Sequence, residues 1–389
     1  MCRSKLVVLL LSVSAIAGGC ARGALGPSAS SRIDPVPRSI DRLSVVERRS
    51  ILQRAQVWRP IDTAAVNLLT GPRASDGFAF DLQVACDYHY PDKPLTGVTP
   101  KFECALQPGA KDIVKVKYGE DNGEVFAEVA ATRLFWALGF VVDRMYPVSV
   151  LCRNCPADPF KEGKEEWHLG KSVNNTTRLF KLATIERGVE GEEVEVRGYE
   201  GWAWPELDLV DEESGGSPRA HVDALKLLAV FVQHVDNKPE QQAIVCTDRR
   251  ERRDREGNAT CASPVLAVKD LGSTFAGARL IAYQKMKLDS WRDVPIWRDP
   301  ATCQGDLSRS VTGNLEHPVI TEAGRRFLAT RLSMLSDRQL HDLFTAARVE
   351  RRGDTTKDAN GPSRPVTVQD WVEAFKAKRA QIVNHQCPA

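Results

Sequence analysis

The stretch FVQHVDNKPEQQAIVC, residues 231–246, places His234, Asp236, Asn237, Lys238, Gln241 and Gln242 within nine positions, directly after a segment patterned for burial. A carboxylate can take a proton from a hydroxyl, an amide oxygen can ligate a hard cation, and an ammonium can contact phosphate. Farther along, SPVLAVKDLGSTF is a short apolar run ending in Asp270 and a glycine. Upstream, VKVKYG sets Lys115 and Lys117 on the face opposite Val114, Val116 and Tyr118. A helical pattern, GEVFAEVAATRLFWALGF, carries Glu124 and, one turn on, Glu128. Taken singly, each piece has a plain structural reading: solvated lysines on an edge strand, an exposed helix acid, a turn, a histidine filling a core.

Their order along the chain depends on the elements that carry them. Residues 21 to about 40 are rich in Pro, Ser, Gly and Ala and read as a tether, followed by a short helix in DRLSVVERRSILQRAQ. From about Trp58 to Lys117, AFDLQVACDY, PKFECAL and DIVKVKYG predict a small antiparallel sheet. Val125, Val129, Leu134 and Leu138 then give a wide apolar helix face, with Gly139 where a helix would stop, and RMYPVSVLC reads as a strand. An acidic connector through EGEEVEVRGYEG and DEESGGSP leads to RAHVDALKLLAVFVQH, a buried helix that delivers the polar cluster at its C-terminal end. From about Gln284 the pattern is mainly helical, and Trp371 and Phe375, one turn apart, read as core.

Composition excludes some classes. The 389 residues are 42% hydrophobic and 27% charged, which suits a globular chain with a large core. A formal net charge of +2 creates no field that would draw nucleic acid, and the mixed-sign run RRERRDRE reads as a solvated loop.

The N-terminus MCRSKLVVLLLSVSAIAGGC has basic residues, an apolar run and small residues before Cys20, the shape of an export signal. Its AGGC ending resembles a bacterial lipobox, in which Cys20 would carry a lipid anchor; plain secretion is the alternative, since Ala17 stands where Leu is usual. No later stretch is long and apolar enough for a transmembrane helix. The expected location is the cell envelope, on the periplasmic or surface side. Beyond Cys2 and Cys20, Cys86, Cys104, Cys152, Cys155, Cys246, Cys261, Cys303 and Cys387 make an even set, which in an exported chain favours disulfides. Cys86 with Cys104 and Cys246 with Cys261 would each close a polar loop. The CRNC pair at Cys152 and Cys155 is read as a structural disulfide, with zinc or a redox dithiol as alternatives.

A strand lysine, a helix glutamate, a further strand, a buried helix ending in an aspartate-bearing loop and a strand ending in D-x-G resemble the order of parts in a protein kinase-like fold. The chain resembles the atypical kinase superfamily of phosphoinositide, HipA-type, spore-coat and secretory-pathway kinases. EVAATRLFWALGF looks like the glutamate-bearing helix of the secretory-pathway members. More broadly, the chain looks like a family of bacterial exported lipoproteins. The resemblance covers about residues 70 to 280. It implies an α+β, two-lobed fold, with an antiparallel β-rich N-lobe over 58–170 and a mainly helical C-lobe over 171–389, preceded by a signal (1–20) and a tether with a short helix (21–57).

The resemblance also implies roles. Phosphoryl transfer needs positioning and charge neutralisation. Lys117, favoured over Lys115, would hold nucleotide phosphates, and Glu128, with Glu124 as substitute, would hold the lysine. Asp236 would accept the proton of the attacking hydroxyl, and Lys238 could contact phosphate. Asp270 would hold the cation with Gln241, which stands where Asn is common and puts efficient catalysis in doubt. LLTGPRASDGFAF, with Gly71 and Gly77, could be the turn between the first two strands that covers phosphates. The expectation is a lipid-anchored, ATP- and Mg²⁺- or Mn²⁺-binding kinase-like protein acting on a protein or glycan hydroxyl. The alternatives are a catalytically weak pseudokinase or an envelope scaffold, and a structural lipoprotein; adenylyl transfer in the same cleft is a further variant. The sequons at Asn174, Asn175 and Asn258 would matter only in a eukaryotic secretory pathway.

Overall fold

Alternating apolar and polar residues over 83–118 form three antiparallel strands, β1 (Gln83–His89), β2 (Lys101–Gln107) and β3 (Lys111–Tyr118). The structure, a computed structural model, describes residues 45–164, 176–194, 200–247, 252–253, 259–277, 285–357 and 361–388. The expected signal, the Cys20 anchor, the tether, the three sequons and most of the RRERRDRE loop lie outside the described residues.

Helix α1 (Val45–Arg54) precedes the sheet. After β3 come α2 (Gly123–Ala137), β4 (Arg144–Arg153), the short α3 (Pro159–Gly163), β5 (Arg178–Arg187) and β6 (Glu192–Glu193). Strands close into a barrel in the order β1-β2-β3-β5-β4, with β1 parallel to β4 and the other pairs antiparallel. Val84, Phe102, Val114, Val116, Val148, Val150 and Ile185 fill it. Because side chains alternate along a strand, Lys115 and Lys117 lie on the outer face.

Two differences from the sequence reading concern the sheet. It closes into a barrel with one parallel pair, β1 and β4, where an antiparallel sheet is expected, and it recruits β5, which lies past the expected boundary at residue 170. Only the middle of β5, Leu182 to Ile185, is buried, so its charged ends masked its periodicity. The described residues form one compact unit.

The rest runs through α4 (Arg219–Val232), β7 (Gln242–Cys246), β8 (Arg252–Arg253), β9 (Ala259–Thr260) and β10 (Pro264–Val268). Then follow α5 (Leu288–Asp293), β11 (Trp297–Asp299), β12 (Gln304–Gly305), α6 (Glu322–Ser333), α7 (Asp337–Ala346), β13 (Thr355–Lys357), β14 (Ser363–Pro365) and α8 (Val368–Val383). The fold is therefore mixed α/β, with the barrel in the first half and helices interspersed with short strands after it. Helix α4, buried from Val222 to Val232, is the core of the helical part, and Trp371 and Phe375 of α8 join that core as expected. Truncating one such aromatic would cost about 3–5 kcal/mol.

Among the described residues four disulfides form: Cys86–Cys104, Cys152–Cys155, Cys246–Cys261 and Cys303–Cys387. Cystines persist in oxidising compartments, which points to a location outside the cytoplasm. No described helix is long and apolar enough to cross a membrane.

Candidate functional site

Helix α2 starts where Asn122 caps it, its side chain accepting from the Glu124 amide at 3.2 Å. It stops at Gly139, whose φ of +93° and contact with the Trp58 ring leave no room for a Cβ. Between these ends all residues but Trp136 are buried, including Glu124 and Glu128. Burial at the helix start therefore delivers two carboxylates to the outer face of β3.

There Glu128 pairs with the buried Lys117. Lys117 also lies 3.4 Å from Glu186 of β5 and 4.0 Å from Glu124. Lys115, directly opposite Glu186 in the β3–β5 register, pairs with it. Glu124 is held by Thr99 and Lys285. Of the two lysines, the structure brings Lys117 to the helix glutamate, while Lys115 is the more exposed neighbour.

Asp270 reaches this cluster through the β7–β10 hairpin. In its register Gln242 opposes Val268, so Gln241, just outside the ladder, faces Lys269 and lies next to Asp270. The Gln241 carbonyl accepts from the amides of Lys269 at 2.8 Å and Asp270 at 3.4 Å. Carboxylate oxygens of Glu124, Glu128 and Asp270 lie within 4.8 Å of one another. The glycine of D-x-G is fixed by contact: a Cβ on Gly272 would sit 2.0 Å from Glu124 Cγ.

The Asp236 loop is anchored on both sides. Helix α4 ends because Gln233 turns left-handed, with φ 57° and ψ 57°. Asp236 then accepts from Gln241 Nε2 at 2.8 Å and from Ser310 Oγ at 3.1 Å. Asn237 is a latch, its Oδ1 accepting from the amides of Asn314 and Leu315, both at 2.8 Å. Lys238 is half-buried beside this loop, its carbonyl accepting from the Gln241 amide at 3.0 Å. His234 is wholly buried against Trp204, and burial pushes its pKa down to about 4, against the pull of Asp270 and Asp236. It is a neutral core residue near neutral pH.

Charge crowding shapes the cluster. Burial opposes a charge on Lys117, but Glu128, Asp270, Glu186 and Glu124 raise its pKa well above the ordinary value. Burial pushes Glu128 up, Lys117 opposes, and the carboxylates of Asp270, Glu124 and Glu186 carry the net shift upward. Burial would raise Glu186, yet Lys115 and Lys117 hold it at about 2. Burial is likewise overcome at Asp270 by Lys117 and the Gly272 amide, which keep it below the usual carboxylate range. Two buried oxygens, Glu128 Oε2 and Gln241 Oε1, have no hydrogen-bond partner among the described residues. The all-oxygen set of Glu124, Glu128 and Asp270, with Glu128 Oε2 unpartnered, fits a hard divalent cation such as Mg²⁺ or Mn²⁺.

Gly71 and Gly77 are not brought to this cluster. They precede β1, so their segment is not the turn between the first two strands; that connection is 90–100, which supplies Thr99. Gly71 packs on the Arg133 guanidinium and Gly77 on the Tyr146 ring. Glycine content suggested a flexible cover, but these glycines serve close packing. Sequence reasoning also missed Glu186, Thr99, Lys285 and Lys101, the last opposite Lys117 across the β2–β3 ladder. The strand pairing that places Glu186 and Lys101 left no local motif, although LATIER does end an apolar run with an acid.

No protein-family model matches the chain, and no match was found among curated proteins. Among solved structures the chain is similar to the Helicobacter pylori proinflammatory kinase CtkA, at 10% identity and a TM-score of 0.38, over 79% of this chain and 95% of that one. At that level the likeness supports no residue-level or functional inference.

Proposed function

We propose that this is an exported, lipid-anchored protein of two-lobed, kinase-like design that binds ATP with Mg²⁺ or Mn²⁺ and phosphorylates a hydroxyl of a protein or glycan. The observation that carries the reading is the buried Lys117–Glu128 pair beside Asp270, with the Asp236 loop hydrogen-bonded to the Asp270 segment through Gln241. Lys117 would hold phosphate oxygens, and Glu128 and Glu186 would hold Lys117 in place. Asp270 and Gln241 would hold the divalent cation, which when bound supplies neutralisation of phosphate charge. Asp236 would take the proton of the acceptor hydroxyl as its oxygen bonds to the γ-phosphorus and the bond from that phosphorus to ADP breaks. The anchor would sit at Cys20.

A second reading, a catalytically weak pseudokinase or envelope scaffold, draws on one observation. Both Asp236 oxygens are already engaged, by Gln241 and Ser310. Transfer of label from γ-labelled ATP to a general protein acceptor separates the two. The first reading expects metal-dependent incorporation that falls about 10²- to 10⁴-fold in Asp236→Asn. Incorporation absent from the wild type, or unchanged in the variant, favours the second.

A further inference from the structure

The C-terminal end of α2 and the start of β4 border a cavity of about 350 Å³ that shares no residue with the lysine–carboxylate cluster. Its volume lies at the lower end of the range of small-molecule sites, roughly 300–1,000 Å³. One wall is apolar, built on Ile61, Trp136 and Phe140. Arg59, Arg73 and Arg144 also line it, against a single acid among the lining residues, Glu190.

These guanidinium groups are not equally satisfied. Arg144 is met by Asp76, at 2.6 and 3.0 Å, but its buried Nε has no partner. Arg59 donates to a neutral hydroxyl, that of Thr247, at 2.9 Å. Arg73 makes no hydrogen bond or ion pair with any described residue. The cavity thus holds more positive charge than its own walls neutralise.

Its apolar side is preformed. Trp58 Nε1 donates to the Leu138 carbonyl at 2.7 Å, and the Val268 amide donates to the Val141 carbonyl at 3.0 Å, which fixes the turn from α2 into β4. A small hydrated anion would gain the charge but leave the apolar wall unfilled, and a neutral ring would do the reverse. The geometry points to a binding site for a small amphipathic anion, a phosphate or carboxylate on an aromatic or apolar body. The arginines take the anion by paired N–H···O bonds, and Trp136 and Phe140 take the body. Such a ligand contacts the turn that hydrogen-bonds to β10 just ahead of Asp270.

The test is calorimetric titration of the oxidised protein with phenyl phosphate, inorganic phosphate and benzyl alcohol. Phenyl phosphate is expected to bind saturably, with the other two weaker by about tenfold or more. Arg59 and Arg73 are exposed, so the Arg59→Ala/Arg73→Ala variant should melt as the wild type does while losing about tenfold or more in phenyl phosphate affinity. Trp136→Ala should weaken it as well. Absence of saturable binding, equal binding of inorganic phosphate, or binding undiminished in the double variant overturns the assignment. The last outcome would place the anion at the lysines of the β3 face instead.

Discussion

The side-chain amide of Gln241 donates to Asp236 at 2.8 Å. That contact uses the nitrogen and leaves Gln241 Oε1 buried and unpartnered, in a residue whose carbonyl meets the Asp270 amide. In the proposed site one side chain would therefore steady the proton acceptor and offer an oxygen to the cation.

Gln241→Ala should weaken Mn²⁺ binding in the presence of ATP by about tenfold or more, as loss of a ligand oxygen or its support does. Gln241→Asn should lose less, because the oxygen is kept. Folding stability should drop by only about 1 kcal/mol, the net value of one hydrogen bond. Unchanged Mn²⁺ affinity in Gln241→Ala would remove this residue from the cation site.

Glu128→Ala should destabilise the protein strongly, by about 3–5 kcal/mol, because it strips the main partner from a buried ammonium. Replacing both partners, Lys117→Met with Glu128→Leu, should cost less than Glu128→Ala alone. Urea unfolding of Lys117→Met, Glu128→Leu and the double variant gives the cycle, and simple additivity would contradict the coupling.

Asp143 is buried, and burial followed by the Glu186 charge pushes its pKa up to about 8. The folded chain thus keeps a proton that the unfolded chain releases near the ordinary carboxylate value. Stability from this group is full below that value and is lost as pH rises toward 8. Asp143→Asn preserves an acceptor for the Val189 amide, which bonds Asp143 at 3.1 Å, and removes the titration. The variant should gain melting temperature relative to the wild type between pH 4 and 8, with the difference levelling above. A pH-independent difference would contradict the buried, protonated carboxyl.

Much of the site's position is legible in the chain. Lys117 and Glu128 stand in strongly patterned elements, and the apolar runs before Asp236 and Asp270 mark the helix and the strand that lead into them. Glu186 and Lys101 are different: each lies opposite a lysine only because β5 and β2 pair with β3, and register is a long-range property. Likewise the nearness of Gln241 to Asp270 comes from the β7–β10 ladder, which brings together residues far apart in sequence. Gly71 and Gly77 misled for a local reason, since glycine supplies flexibility in one setting and close packing in another.

The Cys303–Cys387 bridge spans a separation of 84 residues and ties the chain's end to the β11–β12 region. By loop entropy its removal in Cys303→Ser/Cys387→Ser should cost about 4–5 kcal/mol. Denaturant unfolding under oxidising conditions measures it, and a loss near zero would mean that the C-terminal helices hold without it.

The proposed function stands on a metal-dependent nucleotide site built on Lys117, Glu128 and Asp270. It is tested most directly by the thermal shift of the oxidised protein with ATP, with and without Mn²⁺, beside Asp270→Ala. A ligand that binds only the folded state adds about 2.7 kcal/mol at a hundredfold excess over its Kd. A shift is expected in the wild type when nucleotide and metal are both present, and none in the variant. No shift at millimolar nucleotide, or the same shift in Asp270→Ala, would contradict it.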